Sequence, residues 1–129
     1  MTDIRRLFNF IRDGFNRKVD ADPAFRQLVC GFNKSIVFVL SDNGTFNFVL
    51  RNGQVMPISE GMPLTWDIKA TSDTQNLLAL LSGKLDPMAA MVSRKLRISA
   101  SIQDVAWLKR FLSLNRSTIS CILKDYGQV

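Results

Sequence analysis

The chain has 129 residues, no histidine, two cysteines and a formal charge of +6, from 17 lysines and arginines against 11 aspartates and glutamates. Its length predicts one domain over residues 1–129, and its 47% hydrophobic content is typical of a globular rather than a disordered chain. Without histidine, a Ser-His-Asp triad, a Cys-His dyad and a His-containing metal site are all excluded within this chain. Cys30 and Cys121 are too few for a zinc site and too far apart for a CxxC motif, so we expect reduced thiols rather than one long-range disulfide.

The first two predicted elements are helices. Apolar residues recur at helical spacing from Ile4 to Phe15, which predicts an amphipathic helix over residues 3–17. Its four arginines leave two interpretations open: the apolar stripe packs on its own domain, which we favour, or it lies on a membrane interface. Asp22-Pro23 then combines a capping residue with a proline at the first helical position, and predicts a second helix that ends near Gly31.

Strand patterns follow, separated by turns. Residues 35–40 are β-branched and aromatic, residues 45–51 alternate between apolar and polar, and Asn43-Gly44 between them is a hairpin signature. A third short strand is predicted over residues 54–58, where a proline suits a sheet edge. Residues 64–70 alternate cleanly and predict a fourth strand.

Two further helices are predicted before the last strand. Helical spacing returns at Thr71, where Thr71 or Ser72 is the expected cap, and Gly83 ends this helix. Asp86-Pro87 repeats the combination of a cap and a proline, and therefore begins another short helix.

The C-terminal part closes with a fifth strand and helices. Residues 95–101 alternate, and Ser101 with Asp104 resembles a capping box at the start of a last long helix. An apolar stripe over residues 119–126 predicts a separate final helix, for which a lid and a dimer contact are both open. The whole pattern predicts an α+β fold, with a five-stranded, mostly antiparallel sheet covered on one face by helices.

One segment is similar to a known family. Residues 81–91, LSGKLDPMAAM, resemble the most recognisable stretch of the sterol carrier protein 2 family, where a helix ends in a Gly-Lys-hydrophobic-Asx-Pro turn and an apolar helical turn follows. The alternating strand before this segment, the Lys95–Ile98 strand after it and the Asn-Gly hairpin upstream also match the family's order. The resemblance covers about residues 22–114.

The chain also departs from the family's pattern. Family members usually carry glycine just before and just after the strand at 95–98, where this chain has Arg94 and Ala100. The helix over residues 3–17 and the tail over residues 115–129 are extensions of the matching core. These differences bear on the shape of the cavity and the identity of the ligand more than on the fold.

The resemblance implies an apolar tunnel between the sheet and its helices. Such a tunnel holds a fatty acyl chain, acyl-CoA, phospholipid, isoprenoid or sterol. We therefore expect non-catalytic binding and transfer or presentation of a lipid, with no cofactor and no metal. The alternative is a lipid-free scaffold or accessory protein for enzymes that act on lipids or quinone precursors, interacting through its basic surface.

Two further expectations follow from motifs that the sequence lacks. It has no P-loop and no GxGxxG, and its separated aspartates have structural uses such as capping, so we predict no enzymatic activity. The charged N-terminal segment lacks a signal-peptide core, and we expect a cytoplasmic location.

The expected wall of the tunnel is a set of apolar residues that periodicity alone assigns to the core. Methionine adapts to flexible apolar ligands, so Met88 and Met91, with Trp107, are expected to touch the lipid. The full set is Phe46, Phe48, Trp66, Ile68, Leu77, Leu80, Leu81, Met88, Met91, Leu96, Ile98, Trp107, Leu108 and Phe111.

Basic residues crowd residues 94–116, where Asp104 is the single acidic residue. A solvated surface is one interpretation of this charge. The other is contact with an anionic lipid headgroup or membrane surface, for which the candidates are Arg94, Arg97, Lys109 and Arg110. We do not expect nucleic-acid binding, because no helix-turn-helix, RNP or zinc signature accompanies the charge.

Overall fold

The structure, a computed structural model, describes residues 3–127, which form five helices and six strands. In chain order these are α1 (Ile4–Ala21), α2 (Pro23–Val29), β1 (Lys34–Leu40), β2 (Gly44–Arg51), β3 (Gln54–Val55), β4 (Ser59–Glu60), β5 (Ile68–Ser72), α3 (Thr74–Leu81), α4 (Pro87–Val92), β6 (Arg97–Ser99) and α5 (Ile102–Gly127).

The strands form one open sheet in the order β3-β2-β1-β5-β6, and β4 pairs with β2 outside this path. β1 lies at the centre, antiparallel to β2 and parallel to β5, so that Phe38 has Phe46 on one side and Ala70 on the other. The pairing of β1 with β5 is the one parallel pairing among the described strands. The predicted α+β fold with a mostly antiparallel sheet is confirmed.

Aspartate caps set the beginning of several helices. Asp22 and Asp86 each accept a hydrogen bond from the backbone amide three residues further on, at 3.1 and 3.0 Å, and each precedes a proline as predicted. The predicted cap of α3 at Thr71 or Ser72 is wrong, because β5 continues through Ser72 and Asp73 caps the helix instead.

The predicted strand over residues 64–70 begins four residues late, at Ile68. Before β1 the chain turns towards β3, where the Phe32 carbonyl accepts a hydrogen bond from the Gly53 amide at 3.1 Å. In this register residues 64 and 65 lie opposite Phe32 and Asn33, which precede β1, and Leu64 is fully exposed despite its place in an alternating pattern.

Two other predicted strands are shorter than expected. The predicted strand over residues 54–58 keeps only Gln54–Val55 as β3, and a further short strand, β4, forms at Ser59–Glu60, so the sheet has six strands rather than five. The stretch 95–101 keeps only Arg97–Ser99, because the Lys95 and Leu96 amides donate to the Ala90 carbonyl and close the end of α4.

The last helix is continuous, and the prediction of a separate helix over residues 119–126 is wrong. Asn115 lies in its interior without breaking it, since its side-chain amide donates to the Phe111 carbonyl at 2.9 Å. The second half of α5 packs against α1, which extends to Ala21. The two helices approach closely at Gly14, where an added Cβ would lie 3.1 Å from Ile122.

Candidate functional site

A cavity of about 90 Å3 lies between the sheet and helices α1, α3 and α5. Its walls are apolar except for one arginine. The residues that line it are Phe8, Ile11, Arg12, Phe15, Ile36, Phe38, Phe48, Leu50, Val55, Ile58, Ile68, Ala70, Leu80, Leu81, Leu108, Phe111, Leu112 and Ile119.

Helix α1 supplies one wall of the cavity. Phe8, Ile11 and Phe15 line it from the apolar stripe, so this stripe packs on its own domain as predicted. We did not predict these residues as part of the site, because the family resemblance begins only at residue 22. The apolar stripe of α1 was the feature that could have identified them, because large apolar side chains on one face of a helix pack against another apolar surface.

Six of the predicted wall residues line the cavity. They come from β2, β5, the end of α3 and the first half of α5, which converge on one side of the sheet. They are Phe48, Ile68, Leu80, Leu81, Leu108 and Phe111. The structure thus brings the sheet residues and the helix residues of the prediction together at one void.

The three residues expected to touch the ligand lie elsewhere. Met88 is 47% exposed on α4, because this short helix buries Ala90 on its inner side. Met91 lines a shallow groove beside β6. Trp107 is buried but faces away from the cavity, stacked on Phe111 and edge-on to Phe32, with ring centroids 5.3 and 5.5 Å away.

The five remaining wall candidates also lie away from the cavity. Phe46 and Leu77 are buried in a separate apolar cluster, in which Phe46 packs edge-on to Phe8 at 5.3 Å. Trp66 lies on the loop before β5, and the Lys69 ammonium lies over its ring, 5.5 Å from the ring centroid. The last two are Leu96, which is buried in the main core, and Ile98, which lies on the edge strand β6.

Arg12 is the charged residue of the lining. Its Nε donates to the Val55 carbonyl at 3.0 Å, and Asn16 brackets the same residue of β3 with two hydrogen bonds of 2.8 Å. These bonds fix the middle of α1 against the edge of the sheet. The guanidinium therefore lies at the rim of an otherwise apolar void.

The predicted headgroup contacts do not lie at the cavity. Arg94, Arg97, Lys109 and Arg110 are all exposed, and none of them lines it. Arg94 and Arg97 flank the start of β6, whereas Lys109 and Arg110 lie on α5. Contact of these residues with a membrane is thus separate from contact with a ligand inside the fold.

The lining of the cavity consists of apolar side chains and Arg12. Within residues 3–127, no group of three or more potential metal-ligating side chains comes together. No helix in the same range is long and apolar enough to cross a bilayer. An apolar void of this kind stabilises an apolar ligand through the surface that both remove from water, about 25 cal/mol per Å2.

The chain is similar to one sequence family and to several solved structures. Residues 15–113 match the family model described as the SCP-2 sterol transfer family. Most of α1 and the end of α5 lie outside that match. No curated protein matches the chain significantly by sequence.

Solved structures share the fold at low sequence identity. A structure described as the ubiquinone synthesis protein UbiJ-SCP2 superposes with a TM-score of 0.63 and 17% identity, over 92% of this chain and 95% of that one. Apo sterol carrier protein 2 from Yarrowia lipolytica gives 0.54 and 20%, over 82% and 86%.

A much larger enzyme contains the same fold. The inverting sec-alkylsulfatase Pisa1 from Pseudomonas sp. superposes with a TM-score of 0.59 and 18% identity over 69% of this chain. This chain spans only 14% of the length of that sulfatase. The likeness therefore extends to one part of that enzyme.

Proposed function

This chain belongs to the SCP-2 sterol transfer family, and on that premise we propose that it binds the apolar part of a lipid between the sheet, α1 and α5 and carries or presents it without transforming it. The observation that supports this most directly is the cavity, whose lining is apolar except for Arg12. The ligand classes are those expected from the sequence: fatty acyl, acyl-CoA, phospholipid, isoprenoid or sterol. The proposal keeps the expected cytoplasmic location.

The cavity must widen to take such a ligand. Its volume is about 90 Å3. An engineered cavity that holds benzene has about 150 Å3, and ordinary ligand pockets have several hundred Å3, so this cavity is smaller than both. The strands are joined by backbone hydrogen bonds, whereas the helices pack by side chains. We therefore expect the helical wall to move and the sheet to stay fixed.

The seam between α1 and the second half of α5 is the part of this wall best suited to open. The contacts across it are mostly apolar: Phe10 lies edge-on to Tyr126 at 5.1 Å and Gly14 lies against Ile122, with one side-chain hydrogen bond from Lys18 to Thr118. Arg12 and Asn16 hold α1 to β3, so outward movement of α5 disrupts fewer polar contacts than movement of α1.

Filling the cavity tests the proposal. Ala70 lines it from β5, opposite Phe38, and Ala70→Leu places a larger side chain in the void. We expect this variant to bind a fluorescent fatty-acid probe about tenfold more weakly while keeping its far-ultraviolet circular dichroism. The matched control is Ala106→Leu on the exposed side of α5, which leaves binding unchanged. Equal binding by the wild type and Ala70→Leu would contradict a ligand at this site.

Transfer also requires contact with membranes, for which we propose a surface formed by α4 and the turn after it. Met88 and Val92 lie one helical turn apart and are 47% and 82% exposed. Arg94, Lys95 and Arg97 follow, all exposed, and none of the three forms an ion pair with another described residue. Exposed apolar side chains followed by cations are complementary to an anionic bilayer, where each cation adds about 1 kcal/mol.

Vesicle flotation tests this surface. We expect binding to vesicles containing phosphatidylglycerol that weakens with salt, and an approximately tenfold loss in Val92→Glu. The matched control is Leu64→Glu, because Leu64 is equally apolar and exposed but precedes β5 at the far end of the β5–β6 pair. Binding that is insensitive to salt, or lost equally in both variants, would rule out this surface.

The second candidate function is that of an accessory protein for enzymes of lipid or quinone-precursor metabolism. The observation that favours it is the superposition with the ubiquinone synthesis protein UbiJ-SCP2 over almost the full length of both chains. An accessory protein of this kind holds its partner through an exposed surface rather than through the cavity. The basic residues Arg94, Arg97 and Arg110 are the candidates for it.

Charge reversal separates the two candidate functions. If the accessory function depends on the basic surface, Arg94→Glu, Arg97→Glu and Arg110→Glu together abolish recovery of a stable protein partner in pull-downs. Ala70→Leu then leaves that recovery unchanged, because the cavity is not used. Recovery that persists after charge reversal would exclude the basic surface as the partner's site.

A further inference from the structure

One charged residue, Arg12, lines the cavity, and it comes from the N-terminal helix. Of the residues that line it, Arg12 alone is charged, and its side chain is 27% exposed. The stem of Arg12 thus faces an apolar void while part of the side chain reaches solvent. Arg12 also precedes the first family-matched residue, Phe15, so it belongs to the extension rather than to the shared core.

The Arg12 guanidinium is held in place by one hydrogen bond, and most of its N–H donors have no partner among residues 3–127. Its Nε donates to the Val55 carbonyl. Its Nη1 lies 3.6 Å from a carboxylate oxygen of Asp13, which is too long for a good hydrogen bond, and the Asp13 side chain is 61% exposed. Its Nη2 makes no hydrogen bond to any residue between 3 and 127. An arginine has five N–H donors in a planar fork, so most of them remain available at the rim.

We propose that Arg12 binds the anionic end of a lipid whose apolar chain lies in the cavity, and that it selects acidic lipids over neutral ones. A carboxylate or a phosphate offers two oxygens to the free edge of the guanidinium, which is the geometry of bidentate pairing. The inference rests on the proposed function, since it needs the chain to enter the cavity. It assigns the headgroup to Arg12 rather than to the exposed Arg94, Arg97, Lys109 and Arg110.

Three ligands with the same chain test this assignment. Hexadecanoic acid, hexadecyl phosphate and hexadecanol compete at pH 8 with a fluorescent acyl probe, in the wild type and in Arg12→Met, which keeps an apolar stem without the charge. We expect the wild type to prefer the acid or the phosphate over the alcohol by about 10-fold to 100-fold, the range of a hydrogen bond to a charged group. Arg12→Met loses this preference and keeps its affinity for the alcohol, while Arg12→Lys keeps part of the preference.

The control is Arg17→Met, which removes the same charge from an exposed position of α1 and leaves the preference intact. A stronger preference for the acid than for the phosphate identifies a carboxylate as the headgroup, and the reverse identifies a phosphate. Equal affinities for all three ligands in the wild type would overturn the role of Arg12 while leaving the lipid cavity in place. A loss of affinity for all three in Arg12→Met would assign the residue a structural role only. Failure of every ligand to bind the wild type would overturn the proposed function as well.

Discussion

Arg94 occupies a backbone conformation that ordinarily favours glycine. Its φ is +64°, and the amides of Arg94 and Lys95 close the end of α4 by bonding to the carbonyls of Met91 and Ala90, the pattern of a Schellman cap. A left-handed conformation costs a residue with a Cβ about 1–2 kcal/mol. This chain therefore carries a conformational cost at Arg94, whose side chain is exposed.

Removing the side chain at Arg94 should remove that conformational cost. Arg94→Gly raises the free energy of unfolding by about 1 kcal/mol, measured by urea denaturation, because glycine takes the left-handed conformation without strain. Arg97→Gly is the control with the same loss of charge, and it lowers stability because Arg97 lies in β6. An unchanged or lowered stability in Arg94→Gly would show that the backbone at Arg94 is unstrained.

Lys34 and Asp104 form an ion pair that ties the beginning of β1 to the first turn of α5, with Nζ and Oδ1 2.7 Å apart. The hydrogen bond from Lys34 lowers the pKa of Asp104 from its ordinary 3.8, and the same hydrogen bond raises the pKa of Lys34 from its ordinary 10.5. The stabilisation by the pair is therefore present between these two values. It is lost as the pH falls through the lowered pKa of Asp104 or rises through the raised pKa of Lys34.

We therefore predict how the stability lost in Asp104→Asn depends on pH. Chemical denaturation at several pH values should give a constant deficit relative to the wild type from pH 5 to pH 9, and a shrinking deficit below pH 4. The control, Asp125→Asn, changes an exposed carboxylate near the end of α5 that has no ion pair within residues 3–127. A deficit for Asp104→Asn that persists undiminished at pH 2.5 would mean that the charge of Asp104 does not contribute to stability.

At the scale of elements, α1 and the second half of α5 form an antiparallel pair over the cavity. Gly14 permits the approach, because a Cβ there would lie only 3.1–3.2 Å from three carbons of Ile122. The Lys18 ammonium donates to the Thr118 hydroxyl at 3.2 Å further along the same seam. If lipid enters by separating these two helices, a bond across the seam blocks entry.

A disulfide provides that bond. Gly14→Cys with Ile122→Cys places two cysteines across the seam, where a Cβ at Gly14 would lie 3.1–3.2 Å from side-chain carbons of Ile122, and Cys30→Ser with Cys121→Ser removes the exposed native thiols. We expect the oxidised protein to bind the acyl probe at least tenfold more slowly than the reduced protein, measured by stopped-flow fluorescence. Identical rates in both redox states would place the entrance elsewhere in the fold.

The sequence predicted elements better where local chemistry defined them than where neighbours did. The helices after Asp22-Pro23 and Asp86-Pro87 begin as predicted, because a cap and a proline act within one turn. The alternation at 64–70 was misleading, because a strand also requires a partner and the chain before β1 turns away from residues 64 and 65.

The cavity was predicted only in part for a related reason. Periodicity identifies which residues are buried, but whether their side chains meet at a void depends on how several elements pack together. Trp107 is buried on the far side of Phe111, and Met88 is exposed because α4 has only six residues and buries Ala90. The contribution of Arg12 was hidden, because it lies beside the apolar stripe of α1 rather than within it.

At the scale of the whole molecule, the family core and its two extensions enclose one cavity. The sheet and α3 line one side of it, and α1 with the second half of α5 lines the other side, which we propose separates to admit the ligand. The basic surface beyond α4 lies outside this cavity. The basic residues after α4 can thus serve membrane contact without entering the apolar interior.

Native mass spectrometry of the purified protein, combined with solvent extraction and lipid analysis, shows directly whether a lipid occupies the cavity. We expect a bound mass that matches an extracted lipid, present in the wild type and in Ala106→Leu and strongly reduced in Ala70→Leu. A wild-type protein that carries no lipid, yields none on extraction and takes up none when incubated with fatty acids would contradict lipid binding in this cavity.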